Sequence, residues 1–236
     1  MDQIFTWDLP DKTGTYTPIV NQKIHELCLK QAEANGLEII SAVANAKNRN
    51  CIVKYTMKEK GVVVPDDSGM SLMAGWKNSY DKSVSFGFGI GSVVNICTNG
   101  MVTGEFTLKR KHTGNADILV ERIIKEYFES VTEVHRENIR RSRIMKDLPV
   151  SENMLNQFIG ALLRDKRHIM TQAQVTRFLK ECEASEHFHR IGTDENFSAW
   201  DMYNAGTEAL KTSSNNVWLR KHVDFNDFVN ETLSIE

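Results

Sequence analysis

The spacing of apolar positions changes period along this chain, from helical to alternating and back to helical. Between Pro18 and Asn35, Ile24, Leu27, Cys28 and Gln31 recur at helical spacing, and Gly36 stands where a helix C-cap favours glycine. Two strands are predicted next, Leu37 to Ala44 and Asn50 to Met57, joined by a turn over Asn45 to Arg49. The second strand alternates Cys51, Val53, Tyr55 and Met57 on one face against Lys54 and Thr56 on the other. Val62-Val63-Val64 runs into the turn chemistry of Pro65-Asp66-Asp67-Ser68-Gly69, and Ser71 to Trp76 resumes as a strand.

Val84, Phe86, Phe88 and Ile90 alternate again, with Gly87, Gly89 and Gly91 between and after them, which predicts close backbone approach, a bulge or a bend. A separate strand is expected over Val93 to Thr98, then an Asn99-Gly100 hairpin turn and a return strand over Met101 to Arg110. Ala116 to Val134 carries a helical stripe of Leu119, Ile123, Ile124, Tyr127, Phe128 and Val131. That pattern extends through Met145 and is closed by Pro149. Beyond it the signals are helical only. Ser151 caps one helix, Thr171 and Gln174 form a capping box for another, and Asn196 to Lys211 and Asp224 to Leu233 add two more. The chain is therefore predicted to be α+β: a mostly antiparallel sheet of about five or six strands packed by a long helix over residues 1–147, then an α-helical part over 148–236.

Composition narrows the class. The 236 residues are 41% apolar and 25% charged, as in ordinary globular proteins, and the formal net charge of −2 confines any nucleic-acid binding to a local patch. Cys28, Cys51, Cys97 and Cys182 form no CxxC pair, so reduced, mostly buried thiols are expected. The acidic start MDQIFTWDLP is unlike a signal peptide and no apolar run is long enough for a membrane span, which predicts a cytoplasmic protein without a membrane partner.

Candidate chemistry is sparse. GFGIGSVV leads into a strand rather than a helix and so departs from the dinucleotide fingerprint. Two basic clusters can grip phosphates. Lys109, Arg110 and Lys111 precede a helix N-terminus, and Arg136, Arg140 and Arg143 share a helix face, with Arg141 and Lys146 nearby and Glu137 opposing them. The bland alternatives are a solvated strand end and a solvated helix face. Cys182, His187 and His189 suggest metal ligation, but their spacing fits no structural zinc pattern, so no metal or other cofactor is assigned. Without a GxSxG elbow or a carboxylate cluster no catalytic set emerges, which favours a non-enzymatic role. Tyr80, Phe86 and Phe88 beside Lys77 and Lys82 offer a base-stacking sheet face, or simply core.

Four segments occur in a telling order: Tyr16-Thr17-Pro18-Ile19-Val20-Asn21, Asn78-Ser79-Tyr80-Asp81-Lys82-Ser83, Ile96-Cys97-Thr98-Asn99-Gly100-Met101, and Lys111-His112-Thr113-Gly114-Asn115. With Trp200-Asp201-Met202-Tyr203-Asn204-Ala205-Gly206-Thr207-Glu208, they resemble the phage/plasmid-like proteins grouped as domain of unknown function 932. Ile96 stands before the cysteine without the arginine usual in that family. The resemblance implies an accessory protein of a mobile element in a bacterial cytoplasm, and marks Asn78, Ser79, Asp81, Ser83, Cys97, Asn99, His112, Thr113 and Asn115 as shared polar positions. Asn78, Asp81 and His112 are the candidate cleft residues. Three readings follow: an oligomeric binder or annealing factor for single-stranded DNA, an interaction protein that modulates a host defence system, and a metal-dependent enzyme using His187 and His189.

Overall fold

The computed structural model describes residues 1–14, 16–61, 69–94, 100–107, 116–214 and 216–235, with 94, 100–107, 116 and 117 as backbone only. In chain order the elements are α1 (Asp2–Phe5), α2 (Asn21–Ala34), β1 (Leu37–Lys47), β2 (Asn50–Glu59), β3 (Met70–Ser79), β4 (Gly87–Val94), β5 (Gly100–Thr107), α3 (Ala116–Asp147), α4 (Glu152–Arg164), α5 (Gln172–Ala184), α6 (Ala199–Leu210) and α7 (Trp218–Leu233). The strands form an antiparallel meander in the order β1-β2-β3-β4-β5.

Local chemistry explains most boundaries. Lys47 pairs with Asn50, so the first hairpin turns on Asn48 and Arg49 alone, both at positive φ (52° and 60°), as a type I′ turn requires. Arginine disfavours that conformation, and here it is held from two sides: its backbone oxygen accepts from Tyr80 N at 2.8 Å and its guanidinium donates to the Asp8 carbonyl. The Asn45 to Arg49 turn expected from sequence is therefore shorter, and β1 runs through it. A second correction concerns Val84 to Ile90 and Val93 to Thr98. Gly91 sits inside one strand, paired with Met73 and Val102, and β4 passes through it to Val94. Gly87 fulfils the expected close approach, since a Cβ there would lie 2.7 Å from Lys77 Cε. In the helical part, Ser151 caps α4, Thr171 with Gln174 boxes α5, and Ser198 with Asp201 boxes α6.

The sheet is covered on both faces. Val53, Tyr55 and Met57 of β2, Leu72, Ala74 and Trp76 of β3 and Phe86, Phe88 and Ile90 point to the side covered by α2 and α3. There Val120, Ile123, Ile124, Phe128 and Val131 of α3 are at most 1% exposed, each worth roughly 1.5–3 kcal/mol of transfer free energy before ordering costs. On the other face Ile52 and Met73 meet Trp218 and Leu219 of α7. A second apolar cluster joins α4, α5, α6 and α7 and receives Met145 from the far end of α3. Among the described residues no helix is long and apolar enough to cross a membrane.

Candidate functional site

The first two sequence motifs fasten to each other. Asn78, wholly buried on β3, donates through Nδ2 to the Ile19 carbonyl and to Asn21 Oδ1, both at 2.8 Å. Asn21 Nδ2 donates to the Ile4 carbonyl at 3.0 Å, and its backbone N–H donates to Tyr80 Oη at 2.9 Å. Tyr16 Oη reaches the Ser79 carbonyl at 3.3 Å, and Ser79 Oγ closes the turn by donating to the Val84 carbonyl at 2.9 Å. Asp81 is exposed and accepts from Ser83 N at 2.9 Å, an Asx-type turn. Asn78 is thus enclosed while Asp81 faces solvent. His112, Cys97, Asn99, Thr113 and Asn115 lie outside the described residues.

Of the two basic clusters, the described one stands toward the far end of α3. Tyr127 and Phe128 meet Phe88, and His135 meets Ser92 further on, so α3 runs alongside β4 from its start toward its end. At 1.5 Å per residue, about 30 Å of helix separates Ala116 from Arg136. Lys109, Arg110 and Lys111 fall outside the described residues, between the end of β5 at Thr107 and the start of α3. Arg136, Arg140 and Arg143 are all exposed on the last third of the helix. Arg136 lies 4.0 Å from Glu59, and Arg140 holds Glu137 through two hydrogen bonds of 2.8 Å. Arg141 adds a third at 2.7 Å. The hydrogen bonds from Arg140 outweigh the opposing desolvation and, with the lesser help of Arg141, hold the Glu137 carboxyl down at about 2.

His187 and His189 line a cleft of about 930 Å³ with Lys146, Arg190, Asp194 and Trp200. His189 Nδ1 is hydrogen-bonded to Asp194, which raises the imidazole above its ordinary value. Cys182 is turned into the helical core, fully buried, and burial pushes its thiol up. Among the described residues no group of three or more His, Cys, Asp or Glu is placed to hold a metal ion.

The model of the family described as Domain of unknown function (DUF932) matches residues 12–229. The chain belongs to that family. No curated protein and no solved structure matches it.

Within this DUF932 chain the last motif is a packing device. α6 carries Trp200, Tyr203, Asn204, Gly206 and Thr207, all buried. Asn204 Nδ2 donates to the Trp200 carbonyl at 2.8 Å and Thr207 Oγ1 to the Asn204 carbonyl at 3.0 Å, so both side chains bond back to their own helix. Glu208 emerges to take Arg177 at 3.0 Å and Lys211 at 2.5 Å. The rings proposed to stack bases are closed off, with Phe86 and Phe88 at 0% exposure and Tyr80 at 5%. Sequence reading also missed a buried polar seam. Ser92 Oγ sits 2.7 Å from His135 Nδ1 and accepts from Asn138 Nδ2 at 3.1 Å, fastening α3 to β4. Its serine has no exposed surface, so the pair is a structural fastener rather than a nucleophile and base open to substrate. An isolated serine in a glycine-rich strand and a histidine 43 residues later carry no sequence signal for this contact.

Proposed function

We propose that this protein is a phage- or plasmid-type accessory factor that binds single-stranded nucleic acid without catalysis, through the C-terminal third of α3. The observation that supports the reading is the exposed Arg136, Arg140 and Arg143 face, continued by exposed Lys146, near the end of a rigid helix. Such a face engages backbone phosphates by counterion release, with an affinity that falls as salt rises. Assembly of several copies would align these arginine faces into one strand-holding track.

The test is binding of a fluorescent oligothymidine across a salt series. The triple variant Arg136→Gln, Arg140→Gln, Arg143→Gln is expected to lower the log–log salt slope by about 2, from roughly 0.7 per lost phosphate contact on a single strand. Glu137→Gln, which releases Arg140 and Arg141, is expected to tighten binding several-fold. Salt-independent binding, or a triple variant indistinguishable from the parent, refutes the proposal. In the host-modulator reading the triple variant would still retain a protein partner captured from host lysate.

A further inference from the structure

On the face of the sheet opposite α3, β1, β2 and the connection from α6 to α7 line a solvent-open pocket of about 270 Å³. Its walls include Asn45, Ile52, Lys54, Lys211, Ser213 and Trp218. Lys54 is half-buried on β2, and its Nζ lies 3.9 Å from the centroid of the Trp218 ring. Among the described residues no carboxylate pairs with it. Lys211 pairs with Glu208, which also takes Arg177, so that carboxylate is shared between two cations. An ammonium stacked on an aromatic face keeps part of its solvation through the ring quadrupole, and the remainder is unmet.

We infer that this pocket is a binding site for a phosphoryl group, held between Lys54 and Lys211 with Ser213 and Asn45 as further donors and Trp218 as its apolar wall. Two ammonium groups beside a hydroxyl and an amide suit a compact oxyanion with several acceptor oxygens, and lysine binds phosphate as a point charge. The small volume admits inorganic phosphate or one phosphate with a modest organic body, and excludes larger cofactors. Burial, and next the positive charge of Lys211, pull the Lys54 ammonium down to about 8, and the negative charge of a bound anion would oppose that lowering. The charged neighbours on the facing helix end are Lys211 and Glu208, β1 contributes Val43 and Asn45, and α7 contributes Trp218. The inference is independent of the α3 reading, because it concerns the other face of the sheet.

The experiment is a pH titration of the full chain after reductive ¹³C-methylation of its lysines, which keeps their charge, with the Lys54 resonance assigned by its loss in Lys54→Met. Three probes are added separately: inorganic phosphate, thymidine monophosphate and an oligothymidine tetramer, each against chloride at equal ionic strength. Lys54 is expected to titrate near 8 alone and at least one unit higher with a bound probe, equivalent to at least tenfold tighter probe binding when Lys54 is charged. A response to phosphate supports a free-anion site, whereas a response to the nucleotide or tetramer alone supports a nucleotide-borne phosphate. Equal shifts with chloride, or none with any probe, overturn the inference. Where Lys54→Met folds poorly, Lys54→Arg, whose guanidinium is not methylated, assigns the same resonance while keeping the charge.

Discussion

Gly206 is the position at which the packing of the helical core can be tested most sharply. A Cβ added there would lie 2.1 Å from Phe225 Cζ and 2.6 Å from Cε1. Carbon atoms settle at about 3.5–4.0 Å, so the ring would have to retreat by roughly 1.5 Å. It has no room to do so: Phe225 is fully buried, stacks on Tyr203 at 5.7 Å and meets Phe158 edge-on at 6.4 Å. Overpacking of this kind costs about 1–3 kcal/mol or more, while replacing a helical glycine by alanine returns about 1 kcal/mol. Gly206→Ala is therefore expected to destabilise the protein by about 2 kcal/mol net, read as a lower midpoint in urea unfolding. Trimming the obstructing ring should relieve the clash, so Gly206→Ala with Phe225→Leu should be at least about 1 kcal/mol more stable than the sum of the single effects. If Gly206→Ala keeps or raises the midpoint, the close approach of α6 and α7 is not what requires glycine here.

Two further outcomes follow from buried polar groups. Asn78→Ala strands the Ile19 carbonyl, leaves Asn21 Oδ1 with only the weak Cys51 thiol donor at 3.9 Å, and is expected to cost about 2–4 kcal/mol, with faster proteolysis of the chain before Asn21. A loss below about 0.5 kcal/mol with unchanged cleavage would remove the fastening role. For Lys54 the folded value near 8 lies below the unfolded one of roughly 10.4, so between them the unfolded chain binds more protons. Stability contributed by this group accordingly rises with pH across that window. Lys54→Met should be more stable than the parent at pH 7 by about 1 kcal/mol, with the gap closing toward pH 10. Parallel thermal-unfolding curves for the two proteins would contradict this.

Local signals were legible wherever a residue's neighbours in sequence are also its neighbours in space. The stripe from Leu119 to Val131, the cap at Gly36, the box at Thr171 and Gln174 and the alternation from Cys51 to Met57 all describe contacts within one turn or one strand, and each element formed. The failures have a different cause. The bulge expected of these glycines is present, since the β4–β5 register shifts between Gly89 and Gly91, but Gly91 does not end a strand: pairing on both sides carries β4 through it. The Asn48 and Arg49 turn was obscured because arginine is an unexpected occupant of a left-handed position, tolerated through contacts with Asp8 and Tyr80. The polar motif residues looked like a site because their partners are remote: Asn78 meets Asn21 across 57 residues. The Lys54 pocket was illegible for the same reason, being assembled from β1, β2 and the connection before α7.

The 32-residue length of α3 has a mechanical consequence. At about 48 Å it acts as a single stiff beam with Val120 to Val131 anchored under the sheet and Met145 seated in the helical core. Loosening of the helical core therefore frays the beam from its arginine-bearing end, while the sheet keeps hold of the other. A polyanion clamped along Arg136, Arg140 and Arg143 would brace that end against fraying, so occupancy of the surface and integrity of a core it never touches become thermodynamically linked.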